Sequence, residues 1–178
     1  GVVGGLPENL DAYPHPGESA PRLTGTFLQG WSNAEQLRVW YQGFLGIQPD
    51  LEHGVIRLAP RLPEAFGDVE FNSRIGAGVL HASYERSDRG RRYTWRLQGQ
   101  AARFELDIAP FERHSFTAAA GDTLIVEQTA GSLIVHRAGA GGGEKERVTL
   151  APLPTRREQQ ARFDAILAGT EFAKPGVA

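Results

Sequence analysis

The stretch GVLHASYERSDRGRRYTWRLQG, residues 78–99, decides the fold class of this chain. On either side of its centre, apolar and polar side chains alternate, which is the pattern of a strand with one buried face. The segment RSDRGRR (86–92) has the chemistry of a hairpin turn, with a glycine suited to positive φ. The sequence therefore predicts two antiparallel strands joined by a short turn.

The same two-residue period continues along the chain on both sides of this hairpin. Eight such segments follow one another at intervals of about ten residues, with turn residues between them. They are 55–60, 69–76, 78–87, 91–99, 102–111, 114–120, 122–131 and 132–138. This spacing predicts a mainly β fold, an antiparallel β-sandwich of about eight strands.

Aromatic residues on the strand 91–99 allow two interpretations. Alternation puts Tyr93, Trp95 and Leu97 on one shared face. That face is most simply the sandwich core, and the alternative is an aromatic strip that binds carbohydrate.

One helix is predicted before the β region, over residues 32–46. Ser32 and Glu35 have the spacing of a capping box, and Gly46 suits the left-handed residue that ends a helix. Its apolar face consists of Ala34, Leu37, Tyr41, Phe44 and Leu45. If this helix belongs to a larger helical domain that the chain lacks, part of its apolar face has no partner here. We then expect this face to expose an apolar patch or to mediate dimerisation.

A second helix is predicted after the β region, over residues 155–168. Thr155 and Glu158 have the spacing of another capping box. Its apolar face consists of Phe163, Ile166 and Leu167. The segment AGAGGGEKE (138–146), which lies between the last strand and this helix, is predicted to be a flexible loop.

Composition excludes several classes of function. The 178 residues carry a net charge of −2, with arginines scattered among acids, so neither nucleic acid nor a membrane surface is an expected partner. There is no cysteine, which fits a reducing compartment, and we predict a cytoplasmic location. The five histidines lack the spacing of a metal site, so neither a metal nor another cofactor is predicted.

The part of the chain before the β region carries a series of short motifs. They are Gly5-Leu6-Pro7-Glu8, Gln29-Gly30-Trp31-Ser32, Ala34-Glu35, Leu37-Arg38, Gly46-Ile47-Gln48-Pro49-Asp50 and Leu58-Ala59-Pro60-Arg61-Leu62-Pro63. In order and spacing they resemble the C-terminal end of bacterial glycogen-debranching-type amylo-α-1,6-glucosidases. The resemblance covers about residues 4–63. The β-rich remainder resembles these enzymes only in its general character, as a sheet domain appended to the catalytic domain.

The resemblance implies that residues 1–50 are the end of an α/α-toroid catalytic domain and that 51–178 form a C-terminal β-sandwich with its closing helix. It implies that Glu8 is the general base and that Trp31 helps to form the sugar pocket. The implied reaction hydrolyses α-1,6-glucosidic branch points with inversion, which also requires a general acid. In such enzymes that acid lies far upstream in the toroid.

The implied partners are therefore an α-glucan, glycogen or branched dextrin, and the missing toroid portion of the enzyme. A chain that begins Gly-Val-Val-Gly-Gly and contains no methionine is expected to be part of a longer one. Alone, it is expected to be inactive.

Two alternatives remain open. In the first, the chain is a non-catalytic β-sandwich module that binds α-glucan or a protein partner, with the first 30 residues as a linker. In the second, the toroid is retained but the substrate is trehalose or another α-glucoside. Several hundred upstream residues of paired helices would favour the enzyme over the module.

Overall fold

The computed structural model describes residues 9–26, 29–88 and 90–169. Within these ranges lie twelve strands and two α-helices. In chain order the strands are β1 (Asn9–Leu10), β2 (Leu23–Thr24), β3 (Ile47–Asp50), β4 (Val55–Leu58), β5 (Val69–Ile75), β6 (Gly78–Ser87), β7 (Gly90–Gln98), β8 (Ala102–Leu106), β9 (His114–Ala118), β10 (Thr123–Gln128), β11 (Leu133–Ala138) and β12 (Glu144–Leu150). The helices are α1 (Gly30–Arg38), which continues as a π-helical turn (Val39–Phe44), and α2 (Arg156–Gly169).

Ten of these strands form two sheets. The larger has the order β12-β11-β10-β7-β6-β5 and the smaller has the order β3-β4-β8-β9, while β1 and β2 pair separately. Their strand pairs are antiparallel, except that β4 and β8 run parallel. The inward side chains of both sheets belong to one hydrophobic cluster. The prediction of a mainly β sandwich with a helix before it and another after it is thus confirmed.

The β6–β7 hairpin supplies the largest side chains of the core. Tyr84, Tyr93 and Trp95 are each no more than 2% exposed, and Leu97 lies on the same face. The ring planes of Tyr93 and Trp95 are stacked, with centroids 5.5 Å apart, and Tyr84 meets both edge-on. The core interpretation is confirmed, and the alternative of an exposed carbohydrate-binding strip is wrong because water and ligand cannot reach these rings.

Two further strands extend the eight that the alternation predicted. β3 adds to the four-stranded sheet, and β12 forms the edge of the six-stranded sheet. The loop predicted over 138–146 is shorter than expected, since residues 139–143 form a turn and residue 138 and residues 144–146 belong to β11 and β12. Val148 lies opposite Val135 in this pair, so β12 contributes an inward apolar side chain despite its polar sequence.

The start of the first helix differs from the prediction. The helix begins at Gly30, and its N-cap residue, Gln29, makes no side-chain capping hydrogen bond. Glu35 instead pairs with Arg38 one turn later, with a distance of 2.5 Å between their charged atoms. The Ser32–Glu35 capping box is therefore wrong, because Ser32 already lies inside the first turn.

The second helix begins as predicted. The backbone N–H of Thr155 donates to Glu158 Oε2 (2.7 Å), and the backbone N–H of Glu158 donates to Thr155 Oγ1 (3.2 Å). These two bonds are the reciprocal pair of a capping box, which is confirmed. Every residue of α2 is exposed, so its apolar face does not pack on the sandwich.

Candidate functional site

The resemblance assigned a catalytic role to Glu8 and a substrate-binding role to Trp31, and the two residues differ in what is known of their position. Glu8 lies outside the described residues, so its role as general base stays a prediction. Trp31 lies in the first turn of α1 with 68% of its surface exposed. An indole exposed to this extent is available to a sugar or to a protein partner.

The apolar face of the first helix is half covered. Tyr41 and Leu45 pack against the sandwich core, whereas Leu37, one turn earlier, is 70% exposed. Trp31, which is not part of this face, is also exposed. Of the predicted apolar face, Leu37 is therefore exposed, whereas Tyr41 and Leu45 are covered by the core.

The C-terminal half of this helix is joined to the sheet at Gly46. The residue has φ +72°, and a Cβ there would lie 2.1 Å from the carbonyl carbon of Ala59. The backbone N–H of Ala59 donates to Gly46 O (2.8 Å), and that of Arg61 donates to Phe44 O (2.9 Å). Only glycine fits both the conformation and this contact, so the helix ends at a fixed place on the sandwich.

A chain of hydrogen bonds connects this junction to the core. Trp95 Nε1–H donates to the Tyr84 hydroxyl (3.1 Å), which in turn donates to the Leu45 carbonyl oxygen (2.6 Å). Burial raises the pKa of Tyr84 well above its usual value, although the bond from Trp95 acts in the opposite direction. Nearby, Tyr41 and Ser73 share a hydrogen bond of 2.6 Å between their hydroxyls.

The five histidines each have a polar partner on the surface or at a strand. His53 Nδ1 lies 2.8 Å from Asp50 Oδ2 at the turn after β3, beside an open groove of about 440 Å³. The others lie near Asp11, Asn72, Glu146 and Glu144. In the described ranges, no group of three or more His, Asp or Glu side chains is arranged to hold a metal ion.

A buried carboxylate, Asp122, lies immediately before β10. Lys145 Nζ donates to both of its oxygens (2.8 and 3.0 Å), and Arg137 Nη1 donates to Oδ2 (3.3 Å). Burial alone would raise the pKa of Asp122, but the bonds from Lys145 and from the Ala119 N–H outweigh it and lower the pKa. This network ties β12 to the neighbouring strands, which is a structural role.

A concave site lies at the turn end of the β6–β7 hairpin. Its cavity has a volume of about 430 Å³, and its lining has charged residues of both signs, Glu85, Arg86, Arg91, Arg92 and Glu127. Sequence reasoning identified this segment only as a turn. The signal was nevertheless present, since the pairing of Ser87 with Gly90 puts Arg86 and Arg91 opposite each other.

No family model, curated protein or solved structure matches this chain. None of the helices in the described ranges has the length and hydropathy to cross a membrane. The described part of the chain is therefore a β-sandwich with one helix before it and one after it.

Proposed function

We propose that this chain is the C-terminal part of a glycogen-debranching-type amylo-α-1,6-glucosidase. The single observation that carries the proposal is the ordered series of motifs over residues 4–63, which resembles the corresponding end of such enzymes. In the intact enzyme the sandwich supports the toroid and helps to frame the substrate cleft. The absence of cysteine fits a reducing compartment, so the proposal includes a cytoplasmic location.

Contacts between two of the motifs support this proposal. Ile47 pairs with Leu58 across β3 and β4, and Gly46 touches Ala59 and the nitrogen of Pro60. Two motifs that are separate in sequence therefore form one junction between helix and sheet. Because both motifs contribute to the same junction between helix and sheet, there is a physical reason for them to occur in the same chain.

The proposed chemistry divides two carboxyl groups between two parts of the enzyme. Inversion needs a general acid that protonates the leaving oxygen and a general base that activates water on the opposite face of the sugar. Glu8 supplies the base, and the acid comes from the upstream toroid. Trp31 and Leu37, which the sandwich leaves exposed, face the toroid or the glucan.

The test uses the full-length gene product and measures glucose release from a branched dextrin. Glu8→Gln should lower kcat by about 10²–10⁴-fold, the contribution of a general base. Glu18→Gln is the matched control, because Glu18 lies in the same N-terminal segment and pairs with Arg22. Full activity of Glu8→Gln, or glucose release by the 178-residue chain alone, would contradict the proposal.

A non-catalytic module that binds a protein partner is the second candidate. The observation that favours it is the exposure of two apolar side chains of the first helix, Trp31 and Leu37, which a partner protein would cover. The version of this candidate in which the module binds glucan has less support, because Tyr93 and Trp95 are buried and cannot contact a sugar. An unrelated domain upstream of Gly1 in the gene would favour the module over the enzyme.

A further inference from the structure

Two edge strands, β9 and β12, lie along the same side of the sandwich. β9 is the edge of the four-stranded sheet, and β12 is the edge of the six-stranded sheet. Phe111, which precedes β9, forms a β-bridge with Pro152, which follows β12. The two sheets therefore meet along these two strands on this side of the molecule.

The two halves of β12 are held to the sandwich in different ways. In the C-terminal half, Leu150 packs against the hydrophobic core and Val148 lies opposite the buried Val135. The first three residues, Glu144–Glu146, are all charged, and each pairs with a side chain outside β12. The attachment of the N-terminal half therefore depends on charge as well as on the backbone hydrogen bonds to β11.

Glu146 connects β12 to both sheets. Its Oε1 lies 3.3 Å from His114 Nε2 on β9, and its Oε2 accepts from Arg137 Nε on β11 (3.2 Å). Within the described ranges, the pair with His114 is the one ion pair that joins the two sheets. The side chains of His114 and Glu146 are only 20% and 27% exposed, so solvent screens this pair less than a fully exposed one.

The charged groups around His114 favour its positively charged form. Glu146 on β12 is its direct partner, and Arg137 on β11 contacts the other oxygen of that carboxylate. The register partner of His114 on β8 is a leucine, which carries no charge. The preceding residue, Arg113, is paired with Asp107 (3.1 Å) beyond the end of β8. The carboxylate of Glu146 is therefore the charge in direct contact with the imidazole.

We propose that protonation of His114 fastens the N-terminal half of β12 to β9 and so joins the two sheets in mild acid. A neutral imidazole shares only a hydrogen bond with Glu146, whereas an imidazolium adds a charge attraction. Histidine takes up its proton between pH 8 and pH 5, and carboxylates lose their charge only in stronger acid, near pH 4. The stabilisation is therefore present at about pH 5.5 and is lost as the pH rises to about 8. The proposal is independent of the glucosidase assignment.

Hydrogen–deuterium exchange with mass spectrometry tests this fastening on peptides that cover β12. At about pH 5.5, the wild type should exchange there about two- to fivefold more slowly than His114→Gln, the range expected for a partly exposed ion pair. At about pH 8 the two proteins should exchange equally. Each comparison is made at one pH, so the intrinsic pH dependence of exchange cancels. His53→Gln is the matched control, because His53 pairs with Asp50 at a distant turn and should leave β12 unchanged at both pH values.

A second background separates charge from packing. The His114 ring also stacks on Phe116, with centroids 6.1 Å apart, and losing that contact would loosen β12 equally at both pH values. In a Glu146→Gln background, His114→Gln should therefore produce no pH-dependent change in exchange. An effect of His114→Gln in the wild-type background that is the same at both pH values, or absent at both, would overturn the proposal.

Discussion

Replacing Tyr84 by phenylalanine removes one oxygen atom and leaves the packing of the core unchanged. That oxygen accepts from Trp95 Nε1–H and donates to the Leu45 carbonyl. Trp95 is 1% exposed, so its N–H would find neither water nor another partner. Leu45 is only half-buried, and its carbonyl recovers part of the loss through solvent.

The expected cost of Tyr84→Phe follows from these two groups. A buried polar group that loses its partner costs about 1–3 kcal/mol, so we expect the free energy of unfolding to fall by about 2–4 kcal/mol. In a domain of this size the Tm should fall by about 5–15 °C. Urea unfolding followed by far-ultraviolet circular dichroism measures the change.

Tyr93→Phe is the matched control for this change. Its hydroxyl donates to the side chain of Gln128 (2.9 Å), which lies near the surface and can be hydrated instead. We expect a loss of about 0.5–1.5 kcal/mol. Equal losses for Tyr84→Phe and Tyr93→Phe would refute the reasoning, because the bond to the helix junction would then contribute nothing of its own.

The pH dependence gives a second readout of the same residue. Burial raises the pKa of Tyr84, so its phenol stays protonated in the folded state at a pH where the unfolded chain ionises. The unfolded state then binds fewer protons, and stability falls as the pH rises above about 10. Tyr84→Phe should reduce this alkaline loss but not abolish it, since burial also raises the pKa of Tyr41 and Tyr93.

Two further changes test other parts of the fold. Asp122→Asn should cost about 1–3 kcal/mol at pH 7 because Lys145 loses its charged acceptor. The pKa of Asp122 is lowered in the folded state, so its stabilisation is lost as the pH falls below about 4, and the difference between variant and wild type in urea unfolding should shrink there. Gly46→Ala should cost more than about 2 kcal/mol in the same assay, because the new Cβ would overlap Ala59 and the φ is positive. Gly131→Ala, which meets open space, should be close to neutral, and equal effects at both glycines would contradict the junction as described.

The sandwich could be predicted because its inward strands alternate strictly. On β7, Tyr93, Trp95 and Leu97 fall on one face, and each is buried. β12 escaped the same reasoning, since it is an edge strand with few apolar residues, and its pairing depends on β11. A strand that is stabilised mainly by pairing with its neighbour does not need an alternating apolar pattern in its own sequence.

The candidate sites were less predictable because they depend on contacts between distant segments. The register of the hairpin brings Arg86 and Arg91 together, and that much follows from the turn. Their orientation depends on carbonyl groups of Pro63 and Glu64, more than 20 residues away. Asp122 likewise finds Lys145 only after β12 has formed. Local patterns carry no information on such tertiary partners.

The two halves of the first helix have different consequences for function. Its C-terminal half is fixed to the sandwich through Gly46, Tyr41 and the Leu45 carbonyl. Its N-terminal half presents Trp31 and leaves it exposed. A partner or sugar that binds Trp31 is therefore held at a defined position relative to the sandwich, because little freedom remains at the junction.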